Sequence, residues 1–330
     1  MKIFITGGAG YVGSALVPVL LASGHEVVVF DLYLYGEDVF QKYRGRAGLY
    51  EVKGDIRNVP LLEKAMKGCD VVIHLACISN DPSFELDPML GKSINYDCFP
   101  FIVRSAKDNG IKRFIYASSS SVYGVKEERN VREDAVCEPL TDYSRFKLEC
   151  EKILMNETAD GVMTSVIIRP ATVCGYAPRL RLDLTVNILT IHALVNKKIR
   201  IFGGKQLRPN LNISDMVRAY KLFLEADHAI VHNIPFNVGY QNKSVEEIAF
   251  IVKNTLGDDS IVLQYEKTDD IRSYHINSDK VKRELGFEPK YTIEDAVKSI
   301  ADAYKKGWIT NPMSNSLYYN IKRMQEINLH

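Results

Sequence analysis

Neither sign of charge is in excess: 42 Lys and Arg stand against 41 Asp and Glu in 330 residues, a formal net charge of +1. Such a balance creates no broad electrostatic field, so nucleic acid and anionic membrane surfaces are not expected partners. Long hydrophobic runs are missing as well. A bilayer-spanning helix needs about 20 apolar residues, and even Val71-Val72-Ile73-His74-Leu75-Ala76 is short and interrupted. The apolar start reaches Thr6-Gly7-Gly8 before a signal-peptide core could form, which predicts a cytoplasmic protein.

The six cysteines (69, 77, 98, 137, 150, 174) include no C-x-x-C pair, and a chain this long needs no disulfide staples, so they are expected to be reduced and mostly structural. Among seven histidines only His228 and His232 lie four apart, with no Glu or Cys at ligand spacing. No metal site is predicted, and the pair reads as solvated helix-end or loop residues. His74, at the end of an apolar run, is expected to hydrogen-bond backbone. There is no repeat at a solenoid period and no low-complexity linker.

What the chain does have is a hydrophobic fraction of 46%, enough core for about two domains at this length. Residues 2–6 alternate toward a glycine turn, Tyr11–Leu21 has helical spacing, and Glu26–Phe30 reads as a strand, giving a βαβ unit. The rhythm continues with strands near Tyr50–Lys53, Asp70–Leu75, Arg113–Ala117 and Met163–Arg169. Helices are predicted near Pro60–Lys67, Ile94–Asn109 and Asp142–Asn156. Alternation of this kind implies an α/β fold with a doubly wound parallel sheet of the Rossmann type. Beyond Pro170 the rhythm loosens, with helical stretches near Leu184–Asn196, Ile213–Glu225 and Val245–Thr255. The expected division is a dinucleotide-binding domain over 1–169 and a smaller α/β substrate lobe over 170–330, intertwined with the first. The segment from Asn311 shows no clear period.

Gly7-Gly8-Ala9-Gly10-Tyr11-Val12-Gly13 spaces glycines as G-x-x-G-x-x-G between a strand and a helix. Gly7 and Gly10 permit a tight turn close to a pyrophosphate, Gly13 permits close helix packing, and the helix start at Tyr11 and Val12 turns its N–H groups toward phosphate. Asp31, at the end of the second strand, is placed to accept hydrogen bonds from both ribose hydroxyls and to repel a 2′-phosphate, which predicts NAD rather than NADP. Further along, Tyr143 and Lys147 stand four residues apart on one helix face that Thr141 or Asp142 can cap. A phenol is a poor base at neutral pH, and a nearby ammonium favours its phenolate. Upstream, Ser118-Ser119-Ser120-Ser121-Val122-Tyr123-Gly124 follows an apolar strand.

With these residues the chain resembles the extended short-chain dehydrogenase/reductases, specifically the NAD-dependent nucleotide-sugar epimerase/dehydratase family that includes UDP-galactose 4-epimerase. The resemblance also draws on Gly54-Asp55-Ile56-Arg57, His74-Leu75-Ala76, Asn95, Arg169-Pro170, Gly203-Gly204-Lys205-Gln206-Leu207-Arg208 and Leu285-Gly286-Phe287-Glu288-Pro289. It implies that Asp55 and Ile56 contact adenine, and that Leu75, Ala76, Cys77, Asn95, Ser118 and Pro170 lie along the dinucleotide. Ser119, Tyr143 and Lys147 would be catalytic, with Lys147 also on the nicotinamide ribose. Arg208 would grip the nucleotide-sugar diphosphate, with Arg272 a second candidate, since planar guanidinium forks suit phosphate. Ser79, Asn80, Ser120, Thr172, Arg181 and Asn187 are the remaining substrate candidates. Asp81-Pro82 capping a turn and an Arg181–Asp183 salt bridge are the structural alternatives for those loops.

Two departures from the family pattern bear on the reaction. Where 4,6-dehydratases carry an Asp-Glu pair after the catalytic Ser or Thr, this chain has Ser120 and Ser121, and hydroxyls do not replace carboxylates in that proton transfer. Thr172 and Arg208-Pro209-Asn210 stand where UDP-galactose epimerases usually carry Asn and R-D-[FY]. The expectation is an NAD-dependent oxidoreductase acting at sugar C4, foremost a 4-epimerase. A 4-dehydrogenase whose NADH a second substrate recycles, a 4-keto-sugar reductase and a catalytically silent NAD-binding sensor or scaffold remain open. The resemblance further implies a homodimer joined through two helices per subunit.

Overall fold

Strand β1 (Lys2–Thr6) sends Ile3 and Ile5 to one face and Phe4 to the other, and all three side chains are fully buried, as a strand covered on both sides requires. The computed structural model describes every residue except 127, 129, 269–272, 274, 328 and 330. After β1 come helix α1 (Tyr11–Ala22), β2 (Glu26–Asp31), β3 (Leu49–Lys53), α2 (Val59–Met66) and β4 (Val71–His74). Two short helices follow, α3 (Asp81–Leu86) and α4 (Pro88–Lys92), then α5 (Phe99–Asp108), β5 (Arg113–Ala117), α6 (Asp142–Glu157) and β6 (Thr164–Pro170).

These strands form one parallel sheet in the order β10-β6-β5-β4-β1-β2-β3, which is the doubly wound arrangement with the topology reversing between β1 and β4. Its seventh strand, β10 (Pro235–Val238), comes from beyond residue 170 and pairs with β6. Between them lie β7 (Thr172–Cys174), α7 (Thr185–Asn196), β8 (Lys198–Phe202), β9 (Leu207–Asn212), α8 (Ile213–Glu225) and α9 (His228–Val231). The chain continues through β11 (Gln241–Ser244), α10 (Val245–Leu256), β12 (Val262–Glu266), α11 (Asp279–Leu285), α12 (Ile293–Lys305) and α13 (Asn320–Ile327). Strands β11-β9-β7 form a second sheet and β12-β8 a third.

One face of the large sheet packs Ile3, Ile5, Val27 and Val29 against Leu16 and Leu20 of α1 and Phe223 of α8. The other packs Phe4, Val28 and Phe30 against Leu62 of α2, Phe99 and Ile102 of α5 and Leu154 of α6. A separate cluster joins α7, α10, α12 and the strand pair β8/β12.

The single helix expected over 94–109 is divided. Ser93–Asp97 makes a wide π turn, and α5 begins only at Phe99. Pro100 has no N–H to return to the preceding turn, so the helix restarts there. His74 also differs from expectation, because its Nδ1 pairs with the Thr6 hydroxyl at 2.8 Å rather than with backbone. The His228 and His232 rings stack at 4.4 Å and pair with the Thr164 hydroxyl and the Ser165 N–H, tying α9 to β6. Among the described residues no helix is long and apolar enough to cross a membrane.

Candidate active site

The carboxyl ends of β1, β2, β4, β5 and β6 open into one cavity of about 320 Å³. At its floor the glycine turn adopts the shape its spacing predicts. Gly7 has φ +70°, and a Cβ there would stand 2.5 Å from the Ala76 nitrogen. A Cβ on Gly13 would lie 2.3 Å from the Gly8 carbonyl oxygen, so only glycine lets α1 pack this close. Helix α1 starts after Gly10 with no side-chain cap, leaving its first-turn N–H groups for a ligand.

Asp31 ends β2 beside this turn. Its Oδ2 accepts the Ala9 N–H at 2.9 Å and its Oδ1 the Tyr33 N–H at 2.8 Å. Burial pushes the Asp31 carboxyl above its ordinary range, and the two amides offset only part of that. Asp55 pairs with the Arg57 guanidinium at 2.6 Å. Burial pushes its carboxyl up, but the bonds from Arg57 outweigh burial and hold it below the ordinary range. Ile56, Leu75, Ala76, Cys77 and Pro170 line the same cavity.

At the other end stand the serine run and the tyrosine helix. Ser118 donates to Glu151, which also accepts Arg169 Nε at 3.0 Å and its terminal nitrogen at 2.6 Å. Arg169 continues to the Tyr123 hydroxyl at 2.8 Å, and that hydroxyl to Asn237 at 2.8 Å. Burial works against the Arg169 charge, and the paired Glu151 more than restores it. This buried network locks the ends of β5 and β6 under the serines. Ser119 Oγ accepts the Ser121 N–H at 3.1 Å and pairs with Ser121 Oγ at 2.8 Å, fixing where its hydroxyl stands. Thr141 and Ser144 cap α6 reciprocally, which sets the first turn carrying Tyr143. Lys147, one turn later and 5% exposed, donates to the Ala117 carbonyl at 2.7 Å, with its Nζ 5.9 Å from the Tyr143 ring centre.

Ser79, Asn80, Ser120, Thr172 and Arg181 also line the cavity. Arg181 is gripped by Asp183 through Nε at 2.9 Å and a second nitrogen at 3.1 Å, and donates to Ser79 Oγ at 2.9 Å, so the salt bridge and the cavity position coexist. Asn80, rather than Asp81-Pro82, caps α3.

Three candidates stand elsewhere. Asn95 is not part of the cavity wall; its amide accepts the Ile78 N–H at 2.8 Å and donates to the Ile78 carbonyl at 2.9 Å, clamping the loop after β4. Asn187 is fully buried and bonds the Gly175 N–H, the Arg181 carbonyl and the Tyr11 hydroxyl. Arg208 sits on β9, away from the lining, with its guanidinium on the Leu207 carbonyl at 3.0 Å. Arg272 lies outside the described residues. The sequence reading missed Tyr35, Arg179 and Asn320, all of which line the cavity. The only signal for Arg179 was its place in the Arg-x-Arg-x-Asp run; Asn320 had none.

A dinucleotide fits this donor set, which offers bare backbone at a helix start, a carboxylate at the second strand end and a buried Arg179 Nε without a partner. Residues 3–239 match the NAD dependent epimerase/dehydratase family. A UDP-glucose 4-epimerase from Lactobacillus helveticus is 27% identical, with 92% of this chain and 96% of that protein covered. A UDP-glucuronic acid 4-epimerase from Bacillus cereus, solved with UDP-glucuronic acid and NAD, is 26% identical with a TM-score of 0.82, covering 93% and 99%. A dTDP-glucose 4,6-dehydratase from Streptomyces venezuelae, solved with NAD, shares the fold at a TM-score of 0.84 and 22% identity, covering 93% and 98%. With the family match spanning most of its length and a cavity at the switch point of its sheet, the chain belongs to the NAD-dependent epimerase/dehydratase family.

Proposed function

We propose that this protein is a nucleotide-sugar 4-epimerase. The observation that carries the reading is a single cavity lined by Ser119, Tyr143 and Lys147 together with the glycine turn and Asp31; Ser120 and Ser121 line it too, where the family resemblance implies that a dehydratase would carry a carboxylate pair. Full-length relatives named 4-epimerases support the same reading.

Tyr143 takes the proton of the sugar C4 hydroxyl, and later returns one. The Lys147 side chain, fixed by the Ala117 carbonyl, stands beside the Tyr143 ring with Nζ 5.9 Å from its centre, where a positive charge complements the negative charge that develops on the phenol oxygen as it takes part in the transfer. Ser119 donates to the C4 oxygen, and Ser121 orients it by holding its Oγ from the side. NAD held by the glycine turn and Asp31 would supply a hydride acceptor and, once reduced, a hydride donor. Ser79, Asn80, Thr172 and Arg181 line the space beside these groups and hold the nucleotide sugar. No hydroxyl among Ser119–Ser121 has the basicity to take a proton from the neighbouring carbon, which disfavours elimination of water through these residues.

The test is to incubate the protein with NAD⁺ and UDP-, GDP-, CDP- and dTDP-linked sugars, following NADH absorbance together with product mass and NMR. An inverted C4 centre at unchanged mass, without accumulated NADH, is the expected result. Loss of two hydrogens with stoichiometric NADH would establish a dehydrogenase instead, and binding without turnover on every sugar would leave a sensor or scaffold.

A further inference from the structure

Arg179 is 4% exposed, yet it forms part of the cavity wall. Its backbone N–H donates to Ser14 Oγ at 3.1 Å, which seats the residue over the first turn of α1. The guanidinium lies on the Tyr35 ring, 3.6 Å from its centre, and one terminal nitrogen donates to Asn320 Oδ1 at 2.6 Å. Nε is buried and has no partner.

This cation lacks the counter-ion that burial ordinarily demands. Among the described residues no carboxylate forms an ion pair with it: Asp183 is occupied by two nitrogens of Arg181, and Asp31 by the amides of Ala9 and Tyr33. Burial, helped by the neighbouring Arg181 charge, lowers the Arg179 pKa to about 10 against the opposing pull of Tyr35, Asp183 and Asp31. A buried, unpaired guanidinium costs free energy in the ligand-free protein. It stands, moreover, beside an uncapped helix start that favours the same sign of ligand charge. An anion between these two positive walls offsets both costs.

The geometry points to Arg179 as a binding residue for the diphosphate of the dinucleotide, held beside the helix start that follows the glycine turn. Tyr35 and Asn320 are its positioning residues: the ring holds the guanidinium plane and the amide fixes one end of the fork. Phosphate oxygens match that fork in a way the Asn320 oxygen alone does not. The inference rests on the cavity being the NAD site. It brings to that site a side chain from beyond β7 and a residue from α13, so the cofactor pocket is completed only when the C-terminal segment is docked.

The test compares the wild-type full chain, freed of bound nucleotide, with Arg179→Met and Arg179→Lys. Calorimetric titration with ADP-ribose and with 2′-phospho-ADP-ribose reads the phosphate contact, and urea unfolding of the ligand-free proteins reads the structural role. Arg179→Met is expected to weaken ADP-ribose about 10- to 100-fold while ligand-free stability holds or rises, since an unpaired buried charge has been removed. Arg179→Lys should recover part of the affinity. Wild-type protein that fails to bind ADP-ribose would overturn the dinucleotide reading itself. Normal wild-type binding with affinity in Arg179→Met unchanged within about twofold, or with a loss confined to the 2′-phosphate ligand, would overturn the Arg179 assignment alone. A loss matched by an equal fall in ligand-free stability would make the residue structural.

Discussion

Acid should destabilise this protein through one identifiable side chain. His74 closes β4, 3% exposed, with its ring 5.4 Å from Phe99, 6.1 Å from Phe114 and 6.0 Å from Tyr116. Burial, helped by the Lys147 cation, lowers its pKa to about 3. In the unfolded chain the ordinary value of about 6.5 returns. Between these values the unfolded state binds the proton and the folded state does not, so the contribution of His74 is complete above about 6.5 and is lost as pH falls through that value. From those two pKa values, acidifying from pH 7 to pH 5 costs about 2 kcal/mol, with about 1.4 kcal/mol more for each further unit until the folded pKa is reached. The assay is urea unfolding of wild type and His74→Phe across that range. Phe fills the aromatic site but cannot titrate; the hydrogen bond to Thr6 is lost at every pH and shifts the whole curve without changing its slope. The wild type should lose about 2 kcal/mol more than the variant between pH 7 and 5. Parallel curves would refute the linkage. Because Thr6 Oγ1 also receives the Ala76 N–H at 3.4 Å, protonation of the folded protein would loosen the strand ends that carry the cofactor turn, but only near the folded pKa of about 3, so NAD affinity should hold between pH 7 and 5 as far as His74 governs it.

Tyr143→Phe removes the acid/base oxygen and little volume, so turnover should drop about 10²- to 10⁴-fold with NAD affinity nearly intact in fluorescence titration; equal losses of both would make the helix position structural. Asp31→Asn removes the charge that opposes a 2′-phosphate, and the ratio of NAD to NADP affinity should fall by about tenfold; an unchanged ratio would contradict the reading of the strand end. The protein should sediment as a homodimer joined through α5 and α6, and Phe101, on α5 and 53% exposed in the isolated chain, is the apolar side chain such a contact would cover. Monomeric sedimentation at micromolar concentration would remove that expectation.

The parts of this molecule that sequence makes legible are those whose geometry is set within a few residues. The glycine turn could be read because Gly7 and Gly13 answer local demands, a positive φ and a helix pressed on its own preceding turn. Six of the seven strands of the large sheet could be read, β1, β2 and β5 because they are buried on both faces, whereas β10 (Pro235–Val238) was not. Strands β9 and β11 escaped, since Leu-Arg-Pro-Asn-Leu-Asn and Gln-Asn-Lys-Ser carry no apolar alternation and owe their form to pairing with each other. Asn95 and Asn187 stand behind the cavity lining for a common reason. Each is a buried amide whose partners are mainly backbone groups of a loop, and satisfying those groups takes precedence over meeting a ligand. The arginines make the same point from the other side. Composition ranks Arg208 and Arg179 alike, but only folding decides which is buried, and the decision for Arg179 is made by Asn320, 141 residues downstream, which also reaches Ser79 across 241 residues. The wall of the site that local pattern does not disclose is therefore the wall built by the most distant contacts. The C-terminal segment, featureless as a string, acquires its meaning only where Asn320 joins the cavity wall and ties Arg179 to Ser79.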